Sequence, residues 1–293
     1  MRMHDEEADI DAKLVAELIA GQFPRLSDLR ITAVESSGTV NAIYRLGAQL
    51  CARLPRVESW VRDLEKECAW LPKLAPHLSL GVPTPVAMGR ATSAYPFPWA
   101  IYRWIDGVTY AEEEIDDEQR AAADLARFVA ELRRLSPLGG PRAGRRPLHE
   151  LDAVTRAAID SSRAFIDPDA AVAAWENALA APPWDGSAVW IHGDLLRPNV
   201  LVTSGRVSAV IDFGTVGVGD PATDVVAAWS VFGAGGRGSF RGALNVDDGT
   251  WRRARGIALH QAAMIIPYYL ETNPGLVRLA QDTVREVVAD LGG

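Results

Sequence analysis

The chain has few cysteines, and they form no recognisable pattern. Cys51 and Cys68 are the only two in 293 residues, and no C-x-x-C pair is present. This spacing excludes a disulfide-rich secreted domain and a zinc site built on paired cysteines. It favours two reduced thiols in a cytoplasmic chain.

The sequence also shows no leader-like pattern, no long apolar run and no excess of positive charge. Residues 1–14 are acidic and contain no basic segment followed by an apolar one, while the most apolar stretches, 225–232 and 257–270, are short or carry polar residues. We therefore expect a cytoplasmic protein without a membrane span. The net charge of -8 argues against nonspecific nucleic-acid binding and is compatible with a cationic small-molecule partner. Nothing in the sequence indicates an oligomeric state.

Polar residues with a characteristic spacing lie between residues 190 and 214. Asp194 and Asn199 are five positions apart, His192 precedes them, and Asp212 begins an Asp-Phe-Gly triplet after an apolar run. The combination of D-x-x-x-x-N with D-F-G is typical of enzymes that transfer a phosphoryl group.

The side chains in this pattern suit that chemistry. Mg²⁺ prefers hard oxygen ligands, which the Asp212 carboxylate and the Asn199 amide would provide beside the phosphates. Asp194 is then left to orient and deprotonate the attacking hydroxyl. His192 follows an apolar strand, and we interpret it as a packed residue that holds the loop.

The local pattern predicts three short strands around these residues, at 188–191, 200–203 and 207–211. Residues 204–206 read as a hairpin turn that returns Asp212 to the vicinity of Asn199. The converging loop would hold the polar residues together.

The whole chain reads as an α+β protein with two lobes. We predict a β-rich lobe over residues 1–104 and a mainly helical lobe over residues 105–293. In the first lobe the pattern predicts strands at 29–35, 43–46, 49–54 and 99–104 and a helix at 59–74. In the second it predicts helices at 117–135, 152–165, 170–180, 221–232, 250–270 and 276–291, with a mobile loop at 138–147.

These motifs resemble those of the aminoglycoside phosphotransferase family, whose fold is similar to that of eukaryotic protein kinases. The resemblance rests on His192-Gly193-Asp194, Asn199 and the segments 211–214 and 219–225. It covers nearly the whole chain, and it implies a bilobal protein-kinase-like fold.

The resemblance implies a role for each matching residue. Asp194 would be the catalytic aspartate, and Asn199 and Asp212 would hold Mg²⁺. The N-terminal lobe would bind ATP, with GTP not excluded. The family's nucleotide-positioning loop matches Ser36, Ser37, Gly38 and Thr39, whose backbone N–H groups and hydroxyls could face phosphate oxygens. As a sequence pattern alone, this segment is equally an ordinary hairpin turn.

The position of the family's phosphate-binding lysine is occupied by Arg53. Arginine keeps the charge but has a larger planar head, so the resemblance implies a changed geometry there. Its carboxylate partner would be Glu67 on the following helix. Glu65 is the alternative on another face of that helix.

Backbone groups of Arg103 and Ile105 would bond the adenine edge. Arg197, in the loop after Asp194, either steadies the developing phosphoryl charge or is solvated. Asp220 is well placed to cap the following helix, and Asp224 in its first turn would complement the helix dipole, so structural roles are favoured over metal binding.

The sequence says least about the acceptor, the molecule that would receive the phosphoryl group. Six carboxylates fall within residues 112–118, where they could attract a polycation or simply begin a helix. The C-terminal helices offer another acceptor wall that includes His260, Gln261 and Tyr268. We expect an ATP-dependent O-phosphotransferase acting on a hydroxyl of a small molecule, an aminoglycoside or a related antibiotic, and conferring antibiotic resistance. The alternatives are a metabolic or biosynthetic small-molecule kinase and a nucleotide-binding pseudokinase.

Overall fold

A five-stranded antiparallel sheet forms the centre of the first of two units into which the chain divides. The computed structural model describes residues 7–34, 40–113 and 115–292. The first unit comprises Met1–Pro76, Gly81–Asp106 and Val210–Gly214, and the second comprises His77–Leu80, Gly107–Ala209 and Thr215–Gly293.

The first unit places its sheet between two helices. Its elements in chain order are α1 (Ala12–Gln22), β1 (Ile31–Ala33), β2 (Asn41–Leu46), β3 (Leu50–Pro55), α2 (Val61–Leu74), β4 (Pro85–Gly89) and β5 (Trp99–Arg103). The strand order is β1-β2-β3-β5-β4, so β3 is the central strand.

Alternation along β3 determines which side chains meet each helix. Ala52 and Leu54 are fully buried in the cluster that contains α1, whereas Cys51 packs in a separate cluster with Leu64 of α2. Successive side chains of a strand point to opposite faces, so Arg53 lies on the same face as Cys51. The period of the strand thus directs Arg53 toward α2.

The second unit is mainly helical. Its elements are β6 (Val108–Thr109), α3 (Glu118–Arg134), α4 (Asp152–Ser161), α5 (Pro168–Leu179), β7 (Val189–Ile191), β8 (Val200–Thr203), β9 (Arg206–Val210), β10 (Gly217–Gly219), α6 (Ala222–Val225), α7 (Ala227–Ser230), α8 (Ala234–Leu244), α9 (Asp248–Tyr269) and α10 (Pro274–Leu291). Strands β6, β8 and β9 form one small sheet, and β7 pairs with β10 in another.

The turn between β8 and β9 fixes the direction of the strand that leads to Asp212. Ser204 and Gly205 both have positive φ angles, 52° and 72°. Two successive residues in this region form the tight turn that matches the natural twist of a hairpin. The predicted hairpin at 204–206 is therefore present.

Helix α9 is the central helix of the second unit and packs against α4, α5, α6 and α10. Its start is fixed by the Asp247 carboxylate, which accepts a hydrogen bond from the Thr250 N–H at 2.9 Å. Most of its length is buried, including Trp251, Ile257 and Ile266. This packing holds the helix firmly enough to present side chains to the neighbouring loop.

The α+β fold class predicted from the sequence is confirmed, with a β-rich first unit and a helical second one. The predicted helix at 221–232 is instead the two short helices α6 and α7. The sequence also gave no prediction of α8, because four glycines within it lower its helix propensity. Its first turn is compensated by Glu118, whose carboxylate accepts hydrogen bonds from the N–H groups of Gly233 and Gly236.

The segment 138–147 is attached to the second unit by backbone hydrogen bonds rather than projecting as a loop. Val218 donates to the Pro141 carbonyl at 2.7 Å, and Ala143 donates to the Val218 carbonyl at 3.0 Å. Within the described part of the chain, no helix is long and apolar enough to cross a membrane.

Candidate active site

The loop between β7 and β8 carries Asp194 and Asn199 in the second unit. It leaves β7 through Gly193, whose φ of 89° is in a region that side chains rarely adopt. A Cβ at this glycine would lie 3.0 Å from the Thr215 carbonyl oxygen. Glycine is therefore needed both for the turn and for the close approach.

The Asp194 carboxylate is held through both of its oxygens by side-chain amides. The Asn199 Nδ2 donates to Asp194 Oδ2 at 3.2 Å and to the Asp194 carbonyl at 2.9 Å. The Gln261 Nε2, from α9, donates to Asp194 Oδ1 at 2.6 Å. Neutral donors of this kind orient a carboxylate without cancelling its charge, which suits a general base.

A second carboxylate, that of Asp224, fixes the backbone of this loop. Asp224 of α6 is fully buried and accepts hydrogen bonds from the N–H groups of His192 and Gly193, at 2.8 and 2.9 Å. Burial raises the pKa of Asp224, while the nearby His192 and these N–H donors act in the opposite direction. The loop is thereby anchored at the residues that precede Asp194.

His192 is a buried member of the same loop. Its Nδ1 accepts the backbone N–H of Asp194 at 3.2 Å, and its carbonyl accepts the Thr215 hydroxyl at 2.8 Å. The imidazole is fully buried, in keeping with the packed role expected from the sequence.

Arg197 is anchored to protein rather than being simply solvated. Its Nε donates to the Val231 carbonyl at 2.9 Å. Asp220 forms a two-point ion pair with Arg253, with Nε to Oδ2 at 3.0 Å and Nη2 to Oδ1 at 3.2 Å. Asp220 also accepts the N–H of Ala222, the first residue of α6, at 2.8 Å, although the N-cap position itself is Pro221.

In the first unit, Arg53 lies between two carboxylates. Its Nη1 is 2.6 Å from Glu67 Oε1, and its Nη2 is 3.8 Å from Asp212 Oδ1. The guanidinium also lies over the Tyr102 ring, 5.1 Å from its centroid. The structure pairs Arg53 with Glu67, whereas Glu65 is exposed on another face of α2.

Burial and the mutual attraction of the two charges act in opposite directions on each member of this pair. It raises the pKa of the Glu67 carboxyl, and the Arg53 guanidinium opposes that shift. Burial would lower the pKa of Arg53, but the Glu67 carboxylate raises it above its ordinary value. Arg53 Nε and Glu67 Oε2 are buried without a hydrogen-bond partner among the described residues. Buried polar groups normally have a hydrogen-bond partner, so these two atoms are open to a further polar contact.

Asp212 has a strained backbone. Its φ is 66°, a region that non-glycine residues seldom adopt, and its side chain is 39% exposed. Strain of this kind concentrates at functional sites, where the surrounding structure maintains it. The carboxylate is thus available to a cation.

The predicted adenine-binding residues are at the end of β5. Arg103 pairs with Leu50, and its N–H donates to the Thr84 carbonyl at 2.9 Å. The following Trp104 donates its N–H to the Gln49 carbonyl, and Ile105 is half-buried just beyond the strand.

Two predicted features fall partly or wholly outside the described residues. These are the loop of Ser36, Ser37, Gly38 and Thr39, and Glu114 of the acidic run. In the part of the chain that the structure describes, no group of three or more His, Cys, Asp and Glu side chains is arranged to hold a metal.

Sequence reasoning missed two contacts of this site. Gln261 was considered only as a possible acceptor wall, although its amide bonds Asp194 from 67 positions away. The sequence indicates for Asp224 only a first-turn position that complements the helix dipole, although its carboxylate holds the loop from 31 and 32 positions away. No local spacing reveals either contact, because both depend on how α6 and α9 pack.

The chain matches the model of the phosphotransferase enzyme family over residues 31–257. No curated protein sequence is significantly similar to it.

Solved structures share the fold at low sequence identity. A GDP and kanamycin complex of an aminoglycoside phosphotransferase is 19% identical, with a TM-score of 0.70 over 94% of this chain and 98% of the other. A GDP complex of aminoglycoside 2'-phosphotransferase-IIIa is 18% identical, with a TM-score of 0.71 over 96% and 100%. A macrolide 2'-phosphotransferase from Brachybacterium faecium is 22% identical, with a TM-score of 0.62 over 92% and 97%.

Proposed function

Because the chain belongs to the phosphotransferase enzyme family, we propose that it transfers the terminal phosphoryl group of ATP to a hydroxyl of a small molecule. It is a phosphotransferase with an alcohol group as acceptor. The observation that carries the proposal is the Asp194 carboxylate, oriented by Asn199 and Gln261. We assign Asp194 as the catalytic base, which accepts the proton of the attacking hydroxyl.

Each unit carries residues that the resemblance to the family assigns to the nucleotide or its metal ion. Asn199 directs its amide nitrogen to Asp194, so its carbonyl oxygen is the atom that would hold Mg²⁺, and Asp212 offers a partly exposed carboxylate. When bound, Mg²⁺ offsets negative charge on the phosphates. Arg53, paired with Glu67, would contact phosphate oxygens.

The nucleotide base would be bound through the backbone after β5. Since the Arg103 N–H already bonds Thr84, its carbonyl would accept from the base, and the Ile105 N–H would donate to it. The Ser36, Ser37, Gly38 and Thr39 segment would face the phosphates. The GDP complexes of two similar structures support a nucleotide ligand and keep GTP as an alternative to ATP.

The acceptor is proposed to be an antibiotic. The similar structures include aminoglycoside and macrolide phosphotransferases, and expression of an active enzyme would then raise resistance to its substrate. A second candidate is a nucleotide-binding protein without turnover, because Arg53 stands where the family carries lysine. Retained Mg²⁺-ATP binding without turnover on broad acceptor panels would favour this second candidate.

The proposal is tested by replacing Asp194 with its uncharged isostere. We expect Asp194→Asn to lower kcat by about 10²–10⁴-fold, measured as ADP release with an antibiotic panel, because the acceptor proton loses its base. The matched control is Asp160→Asn, which removes a carboxylate that is 69% exposed on α4. A wild-type rate in Asp194→Asn would reject the assignment.

A further inference from the structure

The loop between β7 and β8 is attached on both sides of Asp194 to one buried segment, residues 224–231. Before Asp194, the Asp224 carboxylate accepts the N–H groups of His192 and Gly193. After Asp194, the loop meets the other end of the same segment, at Ser230 and Val231. The contacts on this second side have no part in the chemistry proposed for Asp194.

The first of them is a hydrogen bond from the Ser230 hydroxyl, at the end of α7. Its Oγ donates to the carbonyl of Leu195, one residue after Asp194, at 2.6 Å. The same Oγ lies 3.0 Å from the Val226 carbonyl, four residues before it. A serine hydroxyl has only one proton, so the shorter contact is the stronger hydrogen bond. Ser230 therefore serves the loop more than its own helix.

The second contact runs in the opposite direction, from the loop to the segment. The Arg197 Nε donates to the Val231 carbonyl at 2.9 Å. Ser230 and Arg197 thus form two hydrogen bonds, of opposite direction, between the end of α7 and the three residues that follow Asp194.

Helix α7 is a rigid partner for these bonds. All four of its residues are buried, and it packs against α8, α9 and α10. The ring of Trp229, next to Ser230, lies 4.4 Å from that of Trp251 in α9, centroid to centroid. A closely packed interior yields little to displacement. The loop therefore takes its position from α7 rather than the reverse.

The position of Leu195 is linked to that of the proposed base. The Asp194 carbonyl accepts the Leu196 N–H at 3.1 Å and the Asn199 Nδ2 at 2.9 Å, which closes the backbone around Leu195 into a compact turn. Movement of the Leu195 carbonyl would therefore displace Asp194 and Asn199 as well. Proton transfer requires the carboxylate within hydrogen-bond reach of the hydroxyl, so small displacements reduce the rate.

We propose that Ser230 and Arg197 are positioning residues for phosphoryl transfer, which set the placement of the Asp194 carboxylate through the backbone of residues 195–197. The inference rests on the proposed function, because it takes Asp194 as the base. Both residues act through the loop, so their loss affects the chemical step rather than nucleotide binding.

The first experiment removes the hydroxyl in Ser230→Ala. We expect kcat to fall by about 10-fold, because a displaced base accepts the proton less efficiently, and the ATP KM to stay within about 2-fold of the wild-type value. The measurement is steady-state ADP release with the best acceptor of an antibiotic panel. A wild-type kcat, or a loss confined to the ATP KM, would overturn the inference.

Ser161→Ala is the matched control. The Ser161 Oγ donates to the Ala157 carbonyl, four residues before it in α4, at 2.8 Å. This variant removes the kind of bond that Ser230 makes to Val226, without a contact to the loop of Asp194. We expect its kcat to equal that of the wild type, and an equal loss in both serine variants would overturn the role of the Leu195 contact.

The second experiment separates the hydrogen bond of Arg197 from its charge. Arg197→Lys keeps the charge but lacks the Nε donor, so we expect it to lower kcat about as much as Arg197→Ala does. Wild-type activity of Arg197→Lys beside a loss in Arg197→Ala would assign the effect to charge and overturn the positioning role of Arg197.

Hydrogen exchange separates failure of this inference from failure of the proposed function. If the wild type phosphorylates no acceptor, the proposed function fails, and amide exchange is compared between the wild type and Ser230→Ala. Exchange of residues 192–199 that is faster by about 5-fold in the variant, with α4 unchanged, upholds Ser230 as the support of the loop. Unchanged exchange in residues 192–199 overturns it.

Discussion

In the first unit Arg53 is held by opposite charges, whereas in the second unit Asp194 is held by neutral donors. Arg53 contacts Glu67 at 2.6 Å and lies 3.8 Å from Asp212. Asp194 instead accepts hydrogen bonds from the amides of Asn199 and Gln261. Ion pairs therefore hold the first cluster, and neutral hydrogen-bond donors hold the second.

The difference matches the roles proposed for the two clusters. A phosphate-binding cation must be kept buried and fixed before its ligand arrives, and a carboxylate partner achieves this. A general base must keep its negative charge, and a guanidinium beside Asp194 would lower its pKa and weaken it as a base. Amide donors fix the geometry and cause less loss of basicity.

Removing one charge of the first cluster should have the largest effect on the stability of the protein. Glu67→Gln should lower the free energy of unfolding by about 3–5 kcal/mol, because Arg53 would remain buried without its ion-pair partner. The measurement is urea unfolding followed by tryptophan fluorescence.

Glu65→Gln is the matched control, since Glu65 lies two residues earlier on the exposed face of α2. We expect its effect to stay within about 0.5 kcal/mol. Similar small effects of both substitutions would mean that Glu67 does not hold Arg53 in place.

The local sequence pattern predicts those parts of the two clusters that depend on strands and turns. The alternation in β3 directs Arg53 toward α2, and the turn at Ser204 and Gly205 directs the chain toward Asp212. Both are properties of neighbouring residues, so a single sequence reveals them.

Long-range packing produced the parts that were not predicted. Gln261 reaches Asp194 only because α9 packs centrally in its unit, and Glu118 starts α8 only because its carboxylate meets Gly233 and Gly236. No spacing rule relates residues separated by 67 or 115 positions. Such contacts depend on the tertiary arrangement of helices.

Substitutions of Arg53 test how much its positive charge contributes to ATP binding. Arg53→Ala should raise the ATP KM by about 10–100-fold, since a charged hydrogen bond contributes about 1.5–3 kcal/mol. Arg53→Lys should preserve or raise ATP use, because the charge is retained. The measurement is steady-state ADP release at varied ATP.

Arg90→Ala serves as the control for this series, because Arg90 is exposed in the same unit. We expect its ATP KM to match that of the wild type. If neither Arg53 variant changes the ATP KM, Arg53 does not bind the nucleotide.

His260, the residue before Gln261, is also held in its neutral form in the folded protein. His260 is buried, and its Nδ1 lies 2.8 Å from the Thr155 hydroxyl. Burial, with a smaller contribution from Arg145 and Arg146, lowers the pKa of His260 to about 4. Its ordinary value of about 6.5 applies in the unfolded chain.

The lowered pKa of His260 predicts the smallest of the effects. It concerns the slope of the unfolding free energy against pH rather than enzyme activity. Between about pH 6.5 and pH 4 the unfolded chain binds one more proton at this site than the folded one, so stability falls as the pH falls. One proton contributes at most about 1.4 kcal/mol per pH unit. In His260→Gln this contribution is absent, so the free energy of unfolding should decline less steeply across the same window. Urea unfolding at several pH values measures both slopes, and parallel curves would show that His260 is not held neutral beside Gln261.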